Sequence, residues 1–335
     1  MTTLPMTSLL LLCTAAAAAV AFAVSVLAGA AAAAGRRALD ALTPAAQARV
    51  LLVLAVLPAV ASVAVMTAAL APSFGWIADH CLHAIEHHAH PNICAAHHVA
   101  ALPALPLMIL AALLLGRLVL TILRLAWQGK RASAARRALE RIASTSTPGS
   151  TPSDIPGLRV LPFDEPQAFV LGLWRPLLFV TRGLVSGAHR EHLEPVLAHE
   201  RAHLRRRDSL RRLVSSLSLA FHLPGIAGWL ERQLVRAHEL AADAEAAAAV
   251  QSPERVAHAL VQLTRVQRRA PAAALAFEGA DVEARVTCLL DPRPRRDQPR
   301  AWVIFFIAVI ALVLLGAGAD FVHHGLETLL GLLSS

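Results

Sequence analysis

The chain has 335 residues, 56% of them hydrophobic, and a mean hydropathy of +0.55, which is too apolar for an ordinary soluble protein and places it in a bilayer. Its net charge of +8 is carried by residues 128–300, where 26 Lys and Arg face 18 Asp and Glu. The chain has no recognisable nucleic-acid-binding motif and no Tyr to interleave with the basic residues. The positive charge therefore reads as a basic inner face beside anionic lipid, and direct nucleic-acid binding is not expected.

A bilayer crossing needs about 20 apolar residues. The first such run, residues 8–34, has no Lys or Arg ahead of it and exceeds the apolar region of a signal peptide, so it reads as a retained span. Arg36, Arg37 and Arg49 follow, then a second span at 50–72. Residues 73–98 form a loop without Lys or Arg; within it, positions 79–98 hold seven His and two Cys. His83, His87, His88 and His90 are possible ligands for Cu or Zn there, and Cys81 and Cys94 could close a disulfide in an oxidising compartment. The other reading is a polar connector. A third span is expected at about 99–119, continuing amphipathically to Trp127, with Arg117 and Arg124 able to snorkel to the interface.

Residues 128–158 are expected to be a linker, most visibly in "ASTSTPGSTPSDIPG". Beyond it, "LRVLPF", "AFVLGL" and "PLLFVT" read as short strands. From Glu191 the pattern is helical, with breaks at Pro224-Gly225, near Pro253 and around Pro271. The uncharged run 213–230, split by Pro224-Gly225, is too interrupted for a span but suits two helices folding back on each other. A fourth span is expected at 301–319, followed by a tail at 320–335 without Lys or Arg. Because basic residues favour cytoplasmic loops, the expected topology puts both termini outside a bacterial inner membrane and 128–300 in the cytoplasm.

The stretch "VLAHERAHLRRRD" carries the chemistry. On a helix, His199 and His203 project from one face and can hold a zinc ion, with Glu200 beside it to act on water. A catalytic zinc takes three protein ligands and keeps one position open. "RAHELAADAEAA" offers Glu239, with Asp243 one turn on: one carboxylate can ligate while the other accepts a hydrogen bond from a ligating His. With no Tyr available to hold an oxyanion, His238 and His222 are considered for that task against a structural role, and the "PLLFV" strand reads either as an edge along which an extended substrate could add or as a buried sheet strand.

These motifs, with "AFVLGLWRPLLFV" before them and "HELAAD" after, resemble the BlaR/MecR-type integral membrane zinc metallopeptidases. The resemblance implies a four-span α-helical membrane protein with a cytoplasmic α+β gluzincin-type zinc metallopeptidase domain at 159–300. It implies one catalytic Zn2+ held by His199, His203 and Glu239, with Glu200 as general base and Asp243 behind a ligand. It also implies a cytoplasmic protein substrate such as a winged-helix transcriptional repressor. The penicillin-binding sensor of the family's best-known members has no counterpart, so antibiotic sensing is not carried over, and Ala242 stands where the family often has Cys. The alternatives are an HtpX/Ste24-like membrane quality-control protease and, in a different class, a non-catalytic membrane metal-binding sensor or transport protein.

Overall fold

The computed structural model describes residues 6–70, 104–144, 158–186, 189–267, 278–291 and 296–297. Three helices among them are long and apolar enough to cross a membrane: Cys13–Ala34, Pro44–Thr67 and Met108–Ala143. They belong to α1 (Met6–Ala34), α3 (Pro44–Leu70) and α4 (Ala104–Ser144), with a short α2 (Arg36–Asp40) between the first two. The expected fourth span at 301–319, the tail at 320–335 and the His-rich loop with His83, His87, His88, His90, Cys81 and Cys94 lie outside the described residues.

Helices α1 and α3 meet through small residues, Ala15, Ala18, Ala21 and Ala28 on one and Ala55 and Ala61 on the other, all buried. Small side chains let the backbones approach where lipid offers no hydrophobic drive, and the Ser62 hydroxyl donates across to the Ala17 carbonyl at 2.9 Å. Helix α4 does not stop at the interface. It continues to Ser144 through "KRASAARRALERIAS", the first part of the segment expected as linker, because Ala, Arg and Glu are strong helix formers. The stretch 145–157 lies outside the described residues.

Three strands follow, β1 (Leu158–Leu161), β2 (Ala168–Leu171) and β3 (Leu177–Thr181), in the order β1-β3-β2. β1 runs parallel to β3 and β2 antiparallel to it. The "PLLFV" stretch is thus the central strand, buried from Leu178 to Thr181, the second of its two readings, and not an edge. The edge beside the helices is β2, joined to β3 by a turn at Gly172, whose φ of +119° puts it where a side chain would be strained.

The sheet packs through Leu178 and Val180 onto Leu197 of α6 (Leu193–Arg206), with Leu184 of the short α5 (Arg182–Val185) in the same cluster. α6 ends at Arg207, left-handed at φ 53°, whose N–H reaches the carbonyls of His203 and Leu204. α7 (Asp208–Leu219) starts at once with an acid in its first turn, and Pro224 opens α8 (Pro224–Val250), where a missing N–H costs nothing. The first half of α8 packs Ala227, Leu230, Leu234 and Ala237 against Leu39 of α2, Leu42 of the α2–α3 connection, and Ala46, Leu51 and Ala55 of α3. Its second half lies against α6, with α9 (Pro253–Gln267) and α10 (Glu278–Leu290) beside it. One helix thus joins the spans to the helix bearing "HERAH". Near the end of the described chain, Arg296 exchanges backbone hydrogen bonds with Ala41 and Thr43, and Asp297 pairs with Arg49. The residues just ahead of the fourth apolar stretch therefore sit beside the α2–α3 connection.

Candidate metal centre

His199 and His203 are one turn apart on α6, and their rings stand 4.7 Å apart at 82°. Their Nε2 atoms approach to 3.0 Å. Glu239 comes from α8, its carboxylate 3.6 Å from His199 Nε2 and 3.7 Å from His203 Nε2. Such a return of α8 onto α6 needs small side chains along the contact: Ala198 and Ala202 of α6 and Ala242 and Ala246 of α8 are all buried. The three ligand-type atoms lie within 4.8 Å of one another.

Each imidazole is turned by a carboxylate behind it. Asp243 Oδ1 accepts from His199 Nδ1 at 2.8 Å, as the i+4 spacing from Glu239 suggested. Asp208 Oδ2 accepts from His203 Nδ1, also at 2.8 Å. This second carboxylate was not foreseen. It lies inside the quoted motif stretch, but only the left-handed break at Arg207 turns it back onto His203. Arg285 of α10 was not foreseen either: its Nε and Nη2 donate to Asp243 at 2.7 and 2.8 Å, and its Nη1 lies 3.3 Å from Glu239. No local pattern marks an arginine so far along the chain as belonging to this cluster.

The donor set fits a divalent cation. With both Nδ1 atoms engaged by carboxylates, both Nε2 lone pairs face one point, and at 3.0 Å they repel unless a positive charge lies between them. Burial pushes His199 down, but its bonds to Asp243 and Glu239 outweigh burial and raise it to about 9. Burial works against the Glu239 carboxylate too, yet the His199 bond and the Arg285 charge bring it down to about 2. Asp243 is likewise held below the usual carboxylate range, with Arg285 and His199 overcoming its burial. Asp208 is lowered in the same way, by His203 and Arg206. Glu200 differs: burial raises its carboxyl, and the neighbouring histidines only partly offset this. A carboxylate whose pKa is raised by burial holds a proton more readily, as a group that takes and returns one must.

A cavity of about 390 Å3 opens on the cluster. His199, Glu200, Glu239 and Arg285 line it together with Gln167 and Ala168 from the β2 edge and apolar Val196, Leu260 and Leu263. His238 and His222 are not part of it. His238 is buried on α8, where desolvation lowers it to about 4 despite the nearby Asp208. His222 is wholly buried at the α7–α8 turn, bonded to Ser25 Oγ and the Ala55 carbonyl, each at 3.0 Å.

A His/His/Glu group able to hold a metal ion, set beside membrane-length helices, is the arrangement of a membrane metallopeptidase, and the comparisons with known proteins point the same way. Residues 130–232 match the family model "Peptidase family M48", a segment that includes His199, Glu200 and His203 and ends before Glu239. The chain is 27% identical over 145 residues to a "Protease HtpX homolog" from Salinibacter ruber (strain DSM 13855 / M31), over 35% of this chain and 52% of that protein. The chain thus spans about half the length of the curated relative it matches. No solved structure matches it. Both likenesses are to peptidases, and each covers about a third of the chain.

Proposed function

We infer that the chain is a zinc-dependent membrane metalloendopeptidase, with His199, His203 and Glu239 holding one zinc ion, Glu200 as general base, and Asp243 and Asp208 orienting the two histidines. The observation that carries this reading is the convergence of two Nε2 atoms and one carboxylate within 4.8 Å, with His199 and Glu239 lining a cavity. Zinc bound there supplies a Lewis acid that polarises a peptide carbonyl and makes water acidic near neutral pH. Glu200 takes the proton from water and returns it to the departing amine. Ala168 of the edge strand β2 is placed to align an extended peptide by backbone pairing, while the Gln167 N–H and carbonyl beside it are held by Thr181, and Val196, Leu260 and Leu263 keep the cavity wall apolar.

The substrate follows one of two readings. In the first, of the BlaR/MecR type, the bond cut lies in a cytoplasmic regulator such as a winged-helix repressor, or in the protease itself. In the second, the protein is an HtpX-like quality-control protease, which the likenesses to the Salinibacter ruber protein and to the M48 family support equally well. Both place the metal centre in the cytoplasm of a bacterial cell with the α1 end and the tail outside, as the Lys and Arg distribution implies. Reconstituted protein should cleave an unfolded membrane protein on the HtpX-like reading, and only a cognate repressor on the BlaR/MecR-like one; equal inertness towards both, with zinc bound, overturns the peptidase assignment.

A further inference from the structure

The α7–α8 hairpin reaches deep among the spans. His222 at its turn bonds Ser25 of α1 and Ala55 of α3, and Ile226 side-chain atoms lie 3.1–3.3 Å from where a Cβ on Gly29 would stand. Ser25 lies eleven residues before Arg36, and Ala55 six residues after Arg49. At 1.5 Å per residue these are about 16 and 9 Å of helix below the charged residues that bound the two spans. The hydrocarbon core is about 30 Å thick, so the turn stands well inside it.

We propose that residues 213–230 form a re-entrant hairpin embedded in the lipid core, anchored among α1, α3 and α4. Two independent features carry this. The segment holds no Asp, Glu, Lys or Arg, while Arg211 and Arg212 precede it and Glu231 and Arg232 follow it, so its charge boundaries are those of a membrane insertion. The backbone groups that the turn leaves without helical partners are also met by protein. Arg117 of α4 donates from Nε to the Ala220 carbonyl at 3.0 Å and from Nη2 to that of Leu219 at 3.1 Å. The Leu223 N–H donates to Ser25 Oγ at 3.1 Å, and His222 N–H to the Leu219 carbonyl at 3.2 Å. A turn in water needs no such provision, whereas irregular backbone at membrane depth is tolerated only where protein satisfies it. Arg117 is accordingly engaged with the hairpin instead of reaching for the interface. Glu239 lies eight residues beyond Glu231, about 12 Å of helix, so the hairpin sets the metal centre at the level of the lipid headgroups.

The test uses the full-length protein carrying Glu200→Gln, so that its outcome is independent of proteolysis. The four native cysteines are replaced by Ala, and a spin label is attached at Gly225→Cys, where nothing lies within 4 Å of the added Cβ. Arg201→Cys on the exposed side of α6 serves as the aqueous control. In reconstituted bilayers the label at position 225 should relax faster with oxygen than with a water-soluble nickel chelate. An impermeant maleimide should react there from either face at least about tenfold more slowly than at position 201. A nickel-accessible label at 225, or maleimide reactivity equal to the control, overturns the proposal. Zinc content checks that the variant is folded, and if it is lost the same measurement is read at Val214→Cys, 40% exposed on α7.

Discussion

His222 at the α7–α8 turn and the pair His199 and His203 on α6 differ in what is left over once their hydrogen bonds are counted. At the turn of the α7–α8 hairpin, His222 spends both ring nitrogens, one on the Ser25 hydroxyl and one on the Ala55 carbonyl. At the metal centre, His199 and His203 each give Nδ1 to a carboxylate behind the ring, Asp243 and Asp208. Their Nε2 atoms are left facing one another and Glu239. Burial is therefore no guide to chemistry here: His222 is the more buried, and all of its bonding capacity goes into tying spans together. An unspent lone pair directed at a shared point, with a carboxylate behind the ring, is what separates a ligand from a strut.

The largest expected effect breaks the comparison at its chemical end. Glu200→Gln keeps every ligand and removes the group that moves the proton, so peptide hydrolysis should fall by about 10²–10⁴-fold or more with zinc content unchanged. Residual cleavage near the wild-type rate, measured against a chelated control, contradicts the role given to Glu200. The next pair of variants sharpens the contrast between the two histidine environments. His222→Ala leaves the Ser25 hydroxyl and the Ala55 carbonyl short of a buried partner, at about 1–3 kcal/mol each, so detergent-solubilised protein should unfold earlier while still binding zinc. His203→Ala should do the reverse, losing metal with less change in the stability of the metal-free form.

A smaller effect comes from the carboxylates behind the rings. Asp243→Asn and Asp208→Asn should each weaken zinc binding by about 10–100-fold, read by competition with a chelating dye. If Asp208→Asn has no effect, the turn at Arg207 is only a connection between helices. The smallest effect is one of pH on the metal-free protein. His199 titrates at about 9 when folded against 6.5 unfolded, so its contribution is full below pH 6.5 and is lost as pH rises through 9. Glu239 titrates at about 2 against 4.5, so its contribution is full above pH 4.5 and is lost as pH falls towards 2. His238, at about 4 when folded against 6.5 unfolded, costs stability as pH falls below 6.5, so chelated protein should be most stable near pH 6.5, and a midpoint that keeps rising from pH 6.5 to 9 contradicts the protonated His199.

The sequence carried those parts of the fold that depend on local periodicity. The i,i+4 spacings of His199 with His203 and of Glu239 with Asp243 predicted which side chains share a helix face, and the Pro and Gly punctuation separated β1, β2 and β3. Strand order was beyond reach, because a crossover that puts β3 between β1 and β2 leaves no mark in the strands themselves. Asp208 was hidden by a left-handed residue that is not glycine, the usual sign of a helix stop. Arg285 arrives through tertiary packing alone. The hairpin was set aside as too interrupted for a span; the same Pro-Gly break that disqualified it as one helix is what lets it turn among α1, α3 and α4.

The central claim, that His199, His203 and Glu239 together hold one zinc ion, is tested most directly by zinc stoichiometry and zinc-edge X-ray absorption on the full-length protein and on His199→Ala/His203→Ala. Comparing the two cancels any metal held elsewhere on the chain. The account predicts one zinc fewer per chain in the double variant, and in the difference spectrum a first shell of two imidazole nitrogens with oxygen at about 2.0–2.2 Å. Equal zinc content in the two proteins, with the variant folded, would contradict it.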